Sequence, residues 1–437
     1  MRDGARITAA IGVLDELDTR HKPVRMALKN WGESARYAGA KDRAFVSGLV
    51  LDALRRRRSL AWMMGADSHR AVVLAVLRFA WDWPLDRVAA AAGEEPHGPG
   101  ALTDDETASL TAPRSLEDAP APVRGDYPDW LDPAFERAFG ADRANEAAAL
   151  AQRAPVDLRG NSLKTDSARA LKALESLGVA PAGLMVHALR VPAPDAAERA
   201  AAVESAPEFA KGWFEVQDLG SQIAAAAAGA VRGKQILDLC AGGGGKTLAL
   251  AAAMGNSGQL YAYDSEARRL SDTVTRSQRA GVRNLQVRSP LRADALVGLE
   301  EKMDLVFVDA PCTGSGTWRR HPDAKWRLTP AQLDRRIEEQ DTVLAKAVQY
   351  VKPGGRLVYV TCSLLAEENE DRIAVLRAAA PDFTVIPALD AIMASNQVDP
   401  AGLALLADRA TPEGYLRLTP AGAGTDGFFV VVLERAS

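Results

Sequence analysis

Residues Gln235 to Thr247 read QILDLCAGGGGKT, and this stretch decides the fold. A short apolar run, typical of a buried strand, leads into four consecutive glycines and then into a helical pattern that begins near Lys246. Glycine adopts backbone angles that other residues avoid, and it lets the backbone approach a ligand closely. In open α/β sheets, ligands bind at the carboxyl ends of the strands. The stretch therefore predicts a ligand site at the end of a sheet strand.

Strand patterns alternate with helical patterns from about Lys211 to the C-terminus. The strand candidates are QILDLC, LYAYD, LQV, LVFVD, RLVYVT and FFVVVLE, and helices are expected to begin at Lys246, Glu266, Pro330 and Ala366. Alternation of this kind is typical of a mostly parallel, doubly wound sheet. The sequence predicts an α/β domain over residues 206–437.

The glycine turn matches neither of two common phosphate-binding motifs. A P-loop requires glycine where Cys240 stands, and the dinucleotide motif begun at Gly242 requires glycine where Thr247 stands. Asp264 ends the next strand candidate about 20 residues later, the usual separation for a carboxylate that binds ribose hydroxyls. A nucleoside cofactor without a bound phosphate fits this pattern, with S-adenosylmethionine as the leading candidate. A turn that only packs helix on strand is the alternative.

Two of the three cysteines follow strand candidates. Asp309 and Cys312 lie in VFVDAPCTGSG, and Cys362 follows RLVYVT. Since parallel strands end at one edge of the sheet, we expect two thiols and an acid to meet there. Cytosine carbon 5 is a weak nucleophile that a thiolate activates by bonding to carbon 6. A second thiol would remove the carbon 5 proton, and the acid would stabilise the ring. Packing as small apolar side chains is the alternative for either cysteine.

Cations and tryptophans alternate directly after the first of these turns, in TWRRHPDAKWR, Thr317 to Arg327. Such a segment suits phosphate contacts combined with base stacking on an unpaired RNA strand. A charged surface loop is the alternative. The candidate RNA contacts in this segment are Arg319, Arg320, His321 and Lys325.

The first half of the chain divides into three parts by composition. Apolar residues at helical spacing predict an all-helical domain over residues 1–92. Residues 93–126 are rich in Gly, Pro, Asp and Glu, which predicts a flexible linker. Residues 127–205 combine the strand candidate VDLRGNSL with the helical pattern ARALKALESLG, which predicts a small α+β module.

The overall composition narrows the class of protein. The chain has 437 residues, three cysteines and a formal net charge of -4. No uncharged apolar stretch approaches the roughly 18 residues of a membrane span. The scattered histidines and cysteines contain no ligand-spaced pair, so no metal site is predicted. We expect a cytoplasmic protein without a membrane, a metal or an obligate protein partner.

The block Arg55 to Arg58 predicts either a basic binding surface or a charged helix face.

Three motifs resemble those of a known family. LDLCAGGGGKT, VDAPCTGSGTWRRHPDAKW and YVTCSLLAEENE resemble the cofactor, Pro-Cys and Thr-Cys motifs of the Nop/Sun family of RNA cytosine-5 methyltransferases, and the match looks closest to its bacterial Sun/RsmB-type branch. The resemblance implies a Rossmann-like methyltransferase domain, preceded by an α+β RNA-binding module and a NusB-like RNA-binding domain. It implies 16S rRNA or a small-subunit precursor as the partner. Transfer RNA as the substrate and a noncatalytic RNA-binding assembly factor are the alternatives.

The resemblance also implies roles for individual residues. Cys362 would be the nucleophile, Cys312 the thiol that assists release, and Asp309 the acid near both cytosine and cofactor. The cofactor contacts it implies are Cys240, Ala241, Gly242, Gly243, Gly244, Gly245, Lys246, Asp264 and Asp309. In the stretch LRGNSLK, the predicted RNA contacts are Arg159, Asn161 and Lys164.

Two positions depart from the family's pattern. Gly242 and Gly243 replace the usual Ala-Pro pair, which predicts a more flexible cofactor loop. Pro290 stands about where the family places an aspartate that meets the adenine side. Substitution by the nearby Asp294 and the absence of this contact are the two alternatives. These departures motivate the noncatalytic alternative.

Overall fold

The computed structural model describes residues 1–20, 22–196, 198 and 201–437. They fall into two compact units. The helical unit comprises the described residues of Met1–Arg153, Ala193–Ala200 and Trp318–Leu328. The sheet unit comprises Ala154–Pro192, Ala201–Thr317 and Thr329–Ser437.

The α-helices, in chain order, are α1 (Asp3–Arg20), α2 (Val24–Ser34), α3 (Ala40–Arg55), α4 (Arg57–Met64), α5 (His69–Ala75), α6 (Leu85–Ala92), α7 (Asp104–Thr111), α8 (Ala121–Arg124), α9 (Asp132–Phe139), α10 (Arg143–Leu150), α11 (Ser167–Ala173), α12 (Pro207–Ala210), α13 (Leu219–Ala226), α14 (Gly245–Met254), α15 (Ala267–Ala280), α16 (Ala324–Arg327), α17 (Pro330–Ala347), α18 (Glu370–Ala379), α19 (Ala388–Ala394), α20 (Pro400–Ala407) and α21 (Pro420–Ala423). The strands are β1 (Val156–Gly160), β2 (Ala180–Pro181), β3 (Ala188–Val191), β4 (Phe214–Val216), β5 (Gln235–Asp238), β6 (Gln259–Tyr263), β7 (Leu285–Arg288), β8 (Met303–Asp309), β9 (Val351–Thr361), β10 (Phe383–Ile386), β11 (Leu416–Leu418) and β12 (Phe428–Arg435).

The helical unit contains α1 to α10 and the short helix α16. Its core is formed by fully buried apolar side chains of α3 and α5, among them Val46, Leu49, Val73 and Leu74. No single helix of the described residues is long and apolar enough to cross a membrane, although the bent pair Arg57–Met64 and His69–Ala80 meets the length and composition criteria together.

Residues 93–126 differ from the predicted flexible linker, because they form α7 and α8 within the helical unit. A capping box starts α7: the Thr103 hydroxyl accepts from the Glu106 amide at 3.1 Å, and the Glu106 carboxylate accepts from the Thr103 amide at 3.0 Å. Arg70 also donates to the Pro99 carbonyl at 2.6 Å and to the Glu106 carboxylate at 2.7 Å. These hydrogen bonds, together with the buried side chains of Leu110 and Val123, fix the segment within the helical unit.

The sheet unit contains two sheets. The larger has strand order β10-β12-β9-β8-β5-β6-β7, with β11 paired to β12. The five strands from β9 to β7 are parallel, and β12 and β10 extend the sheet antiparallel. This arrangement confirms the predicted Rossmann-like, mostly parallel sheet. A smaller antiparallel sheet has the order β2-β3-β1-β4. Strands β1 to β3 lie in the stretch predicted as an α+β module, whereas β4 lies beyond residue 205, and α9 and α10 of that stretch belong to the helical unit.

Both faces of the large sheet are covered, as a parallel sheet requires. Ile236 of β5 and Phe307 of β8 lie in one core, packed with α13 and α14. Their neighbours Leu237 and Val306 lie in the core on the opposite face, packed with α17 and α18. Because successive strand residues alternate faces, the central residues of β5, β8 and β9 are apolar on both faces of the sheet. These strands bring the residues at their carboxyl ends to one edge.

Candidate active site

The glycine turn between β5 and α14 is held by hydrogen bonds at the carboxyl edge of the sheet. Gly242 and Gly244 have φ angles of 52° and 84°, in the left-handed region that favours glycine. The Gly242 amide donates to Asp264 Oδ2 at 2.8 Å, and the Gly244 amide donates to the Ala241 carbonyl at 2.8 Å. The second oxygen of Asp264 accepts from the Glu266 amide at 2.8 Å. Asp264 therefore ties the end of β6 to the turn.

A cleft of roughly 870 Å³ opens beside this turn. All three predicted catalytic residues line it, and so do the predicted cofactor residues except Gly244. A Cβ at Gly244 would lie 2.9 Å from the Thr273 hydroxyl, so this glycine permits close packing of α15 instead. A Cβ at Gly245 would meet no atom within 4 Å, because that glycine faces open space in the cleft. The structure thus brings the predicted catalytic residues and most of the predicted cofactor residues together at one cleft.

The sulfur atoms of Cys312 and Cys362 lie 3.4 Å apart at the cleft. Both cysteines are free and half-buried. The hydrogen bond with the Cys362 sulfur, followed by burial, raises the pKa of Cys312 well above its usual range. The Cys312 thiol is therefore harder to ionise than an ordinary cysteine.

Lys246 and Asp309 form an ion pair at the same edge, with Nζ and Oδ2 2.6 Å apart. Burial opposes the charge on Lys246, but the Asp309 carboxylate outweighs it and the pKa of the ammonium is raised. Below them lies Asp238, fully buried at the end of β5, where burial raises its pKa to about 7. One Asp238 oxygen accepts from the Thr247 hydroxyl at 2.6 Å. The cleft therefore holds a buried cation beside acidic groups and thiols.

Glu368 links the two cysteine-bearing loops, a role that the sequence analysis missed. Its carboxylate is fully buried and accepts from the Thr313 amide at 2.8 Å and from the Thr313 and Ser363 hydroxyls. Gln340 of α17 donates to it at 3.0 Å. Thr313 follows Cys312 and Ser363 follows Cys362, so this one carboxylate fixes the separation of the two loops.

The sequence analysis also missed the cations that line the cleft from α15 and α17. They are Arg269, Arg276, Arg335, Arg336 and Lys346. Arg336 pairs with Glu339 at 2.5 Å, and Lys346 lies 4.2 Å from the centre of the Tyr263 ring. On a helix, residues of this kind look like an ordinary solvated face, and only the tertiary packing brings them to the cleft.

The region around Pro290 contributes nothing to the cleft. Neither Pro290 nor the proposed substitute Asp294 is among the described residues that line it. Asp294 is largely exposed and pairs with Arg292 at 3.0 Å, which lowers the pKa of its carboxyl group. Of the two alternatives, the structure therefore favours the one in which this contact is missing.

The three predicted RNA contacts of LRGNSLK have different surroundings. The Asn161 amide group is buried and donates to the Gly212 and Ala280 carbonyls at 2.8 and 2.9 Å. Arg159 is also buried and donates to the Gln217 side chain at 2.7 Å. Only Lys164 is exposed. The prediction of RNA contact is therefore corrected for Asn161, whose side chain holds backbone segments together.

The segment Trp318 to Trp326 packs into the helical unit. Trp318 is buried against Phe135, with the rings 5.8 Å apart, and Lys325 is buried and donates to the Arg55 carbonyl at 2.7 Å. Arg319 is buried as well, whereas His321 is exposed. Although part of the side chain is exposed, neighbouring atoms shield the His321 ring from water, and this desolvation together with the charges of Arg25, Arg320 and Arg327 lowers its pKa. The prediction of an exposed stacking surface is thus wrong for Trp318, Arg319 and Lys325.

The block Arg55 to Arg58 is a charged helix face rather than an open basic surface. Arg55 pairs with Asp52 at 2.8 Å, Arg57 with Asp18 at 2.6 Å and Arg58 with Asp129 at 2.6 Å. Arg56 donates to the Gln152 side chain at 3.2 Å. Among the residues that the structure describes, no cluster of three or more potential ligands for a metal ion is found.

The fold and the cleft define a Rossmann-like methyltransferase, and solved structures agree. The chain aligns with a methyltransferase homologue from Pyrococcus horikoshii at 26% identity and a TM-score of 0.57, over 74% of this chain and 100% of the other. The crystal structure of PH0851 shares the fold over 99% of this chain and 98% of its own, with a TM-score of 0.70 and 23% identity. NSun6 from Pyrococcus horikoshii, crystallised with the S-adenosylmethionine analogue SFG, also shares the fold, with a TM-score of 0.57 and 20% identity over 71% of this chain and 98% of its own.

Residues 228–434 match the model of the 16S rRNA methyltransferase RsmB/F family. The probable ribosomal RNA small subunit methyltransferase B of Synechocystis is 33% identical over 71% of this chain and 67% of its own. That of Citrobacter koseri is 32% identical over 59% of each. The chain belongs to the RsmB/F group of the Nop/Sun family. It is an RNA methyltransferase whose cofactor is S-adenosylmethionine.

Proposed function

We propose that this protein methylates carbon 5 of a cytosine in small-subunit ribosomal RNA through a covalent bond between Cys362 and carbon 6. The observation that carries the proposal is the 3.4 Å separation of the Cys312 and Cys362 sulfurs beside the cofactor cleft. A pair of free thiols at the carboxyl edge suits a reaction that forms and then breaks one carbon–sulfur bond. The small-subunit RNA substrate follows the names of the relatives.

The two thiols act in a fixed order. The Cys362 thiolate attacks carbon 6, which makes carbon 5 nucleophilic. The main cause of the raised Cys312 pKa is the neighbouring Cys362 sulfur. Once that sulfur is bonded to carbon, its hydrogen bond and charge no longer oppose ionisation of Cys312, so the Cys312 pKa falls. After carbon 5 has received the methyl group, Cys312 gives up its own proton to solvent. The resulting thiolate removes the carbon 5 proton, and the electron pair of that C–H bond expels the Cys362 thiolate.

Asp309 and Lys246 stabilise the ring during these steps. The Asp309 carboxyl group hydrogen-bonds to nitrogen 3 or to the amino group of the cytosine, where charge changes as the adduct forms. Lys246, 2.6 Å from Asp309, holds that carboxyl group in position. Lys246 is buried, and charges on buried groups interact more strongly than charges in water.

The residues around the cleft fit S-adenosylmethionine. The turn Cys240 to Lys246 leaves open space at Gly245, and Asp264 and Glu266 follow the neighbouring strand. Each carboxylate oxygen accepts more than one hydrogen bond, so Asp264 binds ribose hydroxyls while it holds the turn. The cofactor supplies the methyl group that carbon 5 receives.

RNA contacts belong to the same proposal. Lys164, which is exposed, Arg320 and His321 remain the RNA contacts predicted from the sequence. Arg159 lines a small pocket, and it contacts the RNA strand only when that pocket opens toward the RNA. We also propose that the helical unit, over residues 1–92 in particular, binds RNA as the NusB-like domain of this family does. The α+β module and the methyltransferase domain, residues 127–205 and 206–437, then act on the bound strand.

A covalent-trapping experiment tests the chemistry. Cys312→Ala should accumulate a protein–RNA adduct with small-subunit RNA and S-adenosylmethionine, and the adduct should survive denaturing electrophoresis. The control Cys362→Ala should form no adduct and transfer no tritium from labelled S-adenosylmethionine. An adduct that persists in Cys362→Ala, or its absence from Cys312→Ala in a preparation whose parent transfers methyl groups, would refute the assigned roles.

Mapping the modified nucleotide tests the substrate. Bisulfite sequencing of RNA from cells with and without the gene should show one 5-methylcytosine in 16S rRNA that depends on the gene. Loss of a transfer RNA site instead would favour the transfer RNA alternative. If no site is lost and calorimetry detects no cofactor binding, the noncatalytic assembly factor is favoured.

A further inference from the structure

Two side chains of α15 bind the carbonyl groups of the glycine turn. The Thr273 hydroxyl donates to the Gly242 carbonyl at 2.8 Å, and Arg276 Nη1 donates to the Gly243 carbonyl at 2.5 Å. Thr273 and Arg276 are three residues apart and therefore share one face of the helix. Both peptide groups at the position where the family has Ala-Pro are thus held from outside the turn.

Arg276 is itself held in place by a buried carboxylate. Glu215 of β4 is 2% exposed and accepts from Arg276 Nε at 3.2 Å and Nη2 at 2.9 Å. Its other oxygen accepts from Arg279 at 2.5 Å. A guanidinium fixed by two bonds to one carboxylate loses little further freedom when it binds a third group. The small antiparallel sheet therefore supports the cofactor turn through one arginine.

This support matters because four consecutive glycines, Gly242 to Gly245, give the turn little rigidity of its own. A proline at position 243 would fix φ and reduce the freedom of the loop, whereas four glycines leave it free to move. The Gly243 amide donates no hydrogen bond among the described residues, so a proline there would remove none. Arg276 and proline are thus alternative means of fixing the same peptide groups.

We propose that Arg276, oriented by Glu215, is a positioning residue for S-adenosylmethionine that compensates for the missing proline of the turn. Arg276 lines the cleft but acts through the backbone of Gly243, which it holds in the conformation that binds the cofactor. Thr273 contributes in the same way at Gly242. The small sheet thereby gains a function in cofactor binding besides any contact with RNA.

Calorimetry with S-adenosylmethionine and the full chain tests this proposal. Arg276→Met should weaken binding on the order of tenfold, as expected for the loss of one charge-assisted hydrogen bond. Thr273→Val, which keeps the shape and removes one neutral bond, should weaken it by about threefold. Arg279→Met is the matched control, because it removes the other guanidinium on Glu215 without touching the turn, and its affinity should stay within about twofold of the parent's.

Restoring the proline gives the decisive comparison. Gly243→Pro should improve cofactor affinity severalfold in the Arg276→Met background and much less in the parent chain. The reason is that Arg276 and the proline restrict the same peptide groups of the turn. Hydrogen exchange of the free protein should show faster exchange of residues 240–246 in Arg276→Met and slower exchange in the double variant. Equal gains from Gly243→Pro in both backgrounds, or parent-like affinity of Arg276→Met, would overturn the proposal.

Thermal unfolding of each variant separates local from global effects. If Arg276→Met does not fold, Thr273→Val and Arg276→Lys still decide, since the proposal requires both to bind the cofactor more weakly than Arg279→Met. Cofactor affinity is measured without RNA or methyl transfer. A failure of this proposal therefore leaves the cysteine chemistry standing, and the reverse also holds.

Discussion

Glu368→Gln should slow the reaction without touching either cysteine. The carboxylate holds the loops of Cys312 and Cys362 through Thr313, Ser363 and Gln340. Glutamine keeps one oxygen, which continues to accept from the Thr313 amide and from Gln340. Its amino group then faces the two hydroxyls, which turn to accept instead of donate. The charge that strengthens these bonds is lost.

The magnitude follows from the number of bonds affected. A hydrogen bond to a charged group contributes about 1 kcal/mol more than a neutral one, so the two hydroxyl bonds together lose about 2 kcal/mol. The free energy of unfolding should fall by that amount. A loosened loop changes the separation of the sulfurs, and displacement of reacting groups by 1 Å costs up to about 100-fold in rate. We expect the single-turnover rate of methyl transfer to fall at least about tenfold.

Urea unfolding and rapid-quench methyl transfer measure the two quantities. Asp341→Asn is the matched control, because it removes a carboxylate that joins α17 to α18 through Arg372 at 2.7 Å and contacts neither cysteine loop. The control should keep its single-turnover rate within about twofold. A Glu368→Gln protein that loses stability and keeps the parent's rate would refute the idea that this carboxylate positions the sulfurs.

Three further changes have outcomes set by the structure. Asp238→Asn removes a carboxyl group whose pKa is about 7 in the folded protein, above its unfolded value. In urea unfolding, the parent should therefore lose up to about 4 kcal/mol of stability relative to the variant as pH rises from about 4 to 7. Parallel pH profiles of the two proteins would contradict this. Asp126→Ala removes a buried carboxylate that accepts from the Arg58 and Ser59 amides at 2.9 Å. Calorimetric unfolding should show that the free energy of unfolding falls by about 1–3 kcal/mol. An unchanged Tm would indicate that residues 93–126 form a mobile linker after all. Arg57→Met should leave the salt dependence of RNA affinity unchanged, because Arg57 pairs with Asp18; a slope smaller by about one unit would show a phosphate contact.

The residues at the carboxyl edge of the large sheet could be predicted from the sequence, because the order and direction of the strands determine which residues lie there. Once β5, β8 and β9 are recognised as parallel strands, Cys240, Asp309 and Cys362 must follow them on one side. The sequence also contained a signal that the analysis missed. Thr103 and Glu106 have the spacing of a capping box, which predicts the helix α7 in a segment whose Gly, Pro and acidic residues suggested a linker.

The supporting residues could not be predicted, since their partners are distant in the chain. Glu215 and Arg276 are 61 residues apart, and Thr313 and Glu368 are 55 apart. Charge alone also misled at Lys325, where a lysine in a basic run has its ammonium buried against a backbone carbonyl. Hydrophilic composition predicts exposure only when no buried acceptor is available, and that condition depends on the tertiary fold.

The charges around the cleft bear on the proposed order in which the two thiols act. Two sulfurs 3.4 Å apart resist carrying charge together, just as adjacent carboxylates do. Glu368, which fixes the two loops, adds to the negative potential that raises the Cys312 pKa. Lys246 is a buried cation of the cleft, and its charge is partly compensated by Asp309. Under the proposed mechanism, Glu368 therefore has two effects. It positions the cysteine loops, and together with the unreacted Cys362 sulfur it disfavours ionisation of Cys312 until Cys362 is bonded to the ring.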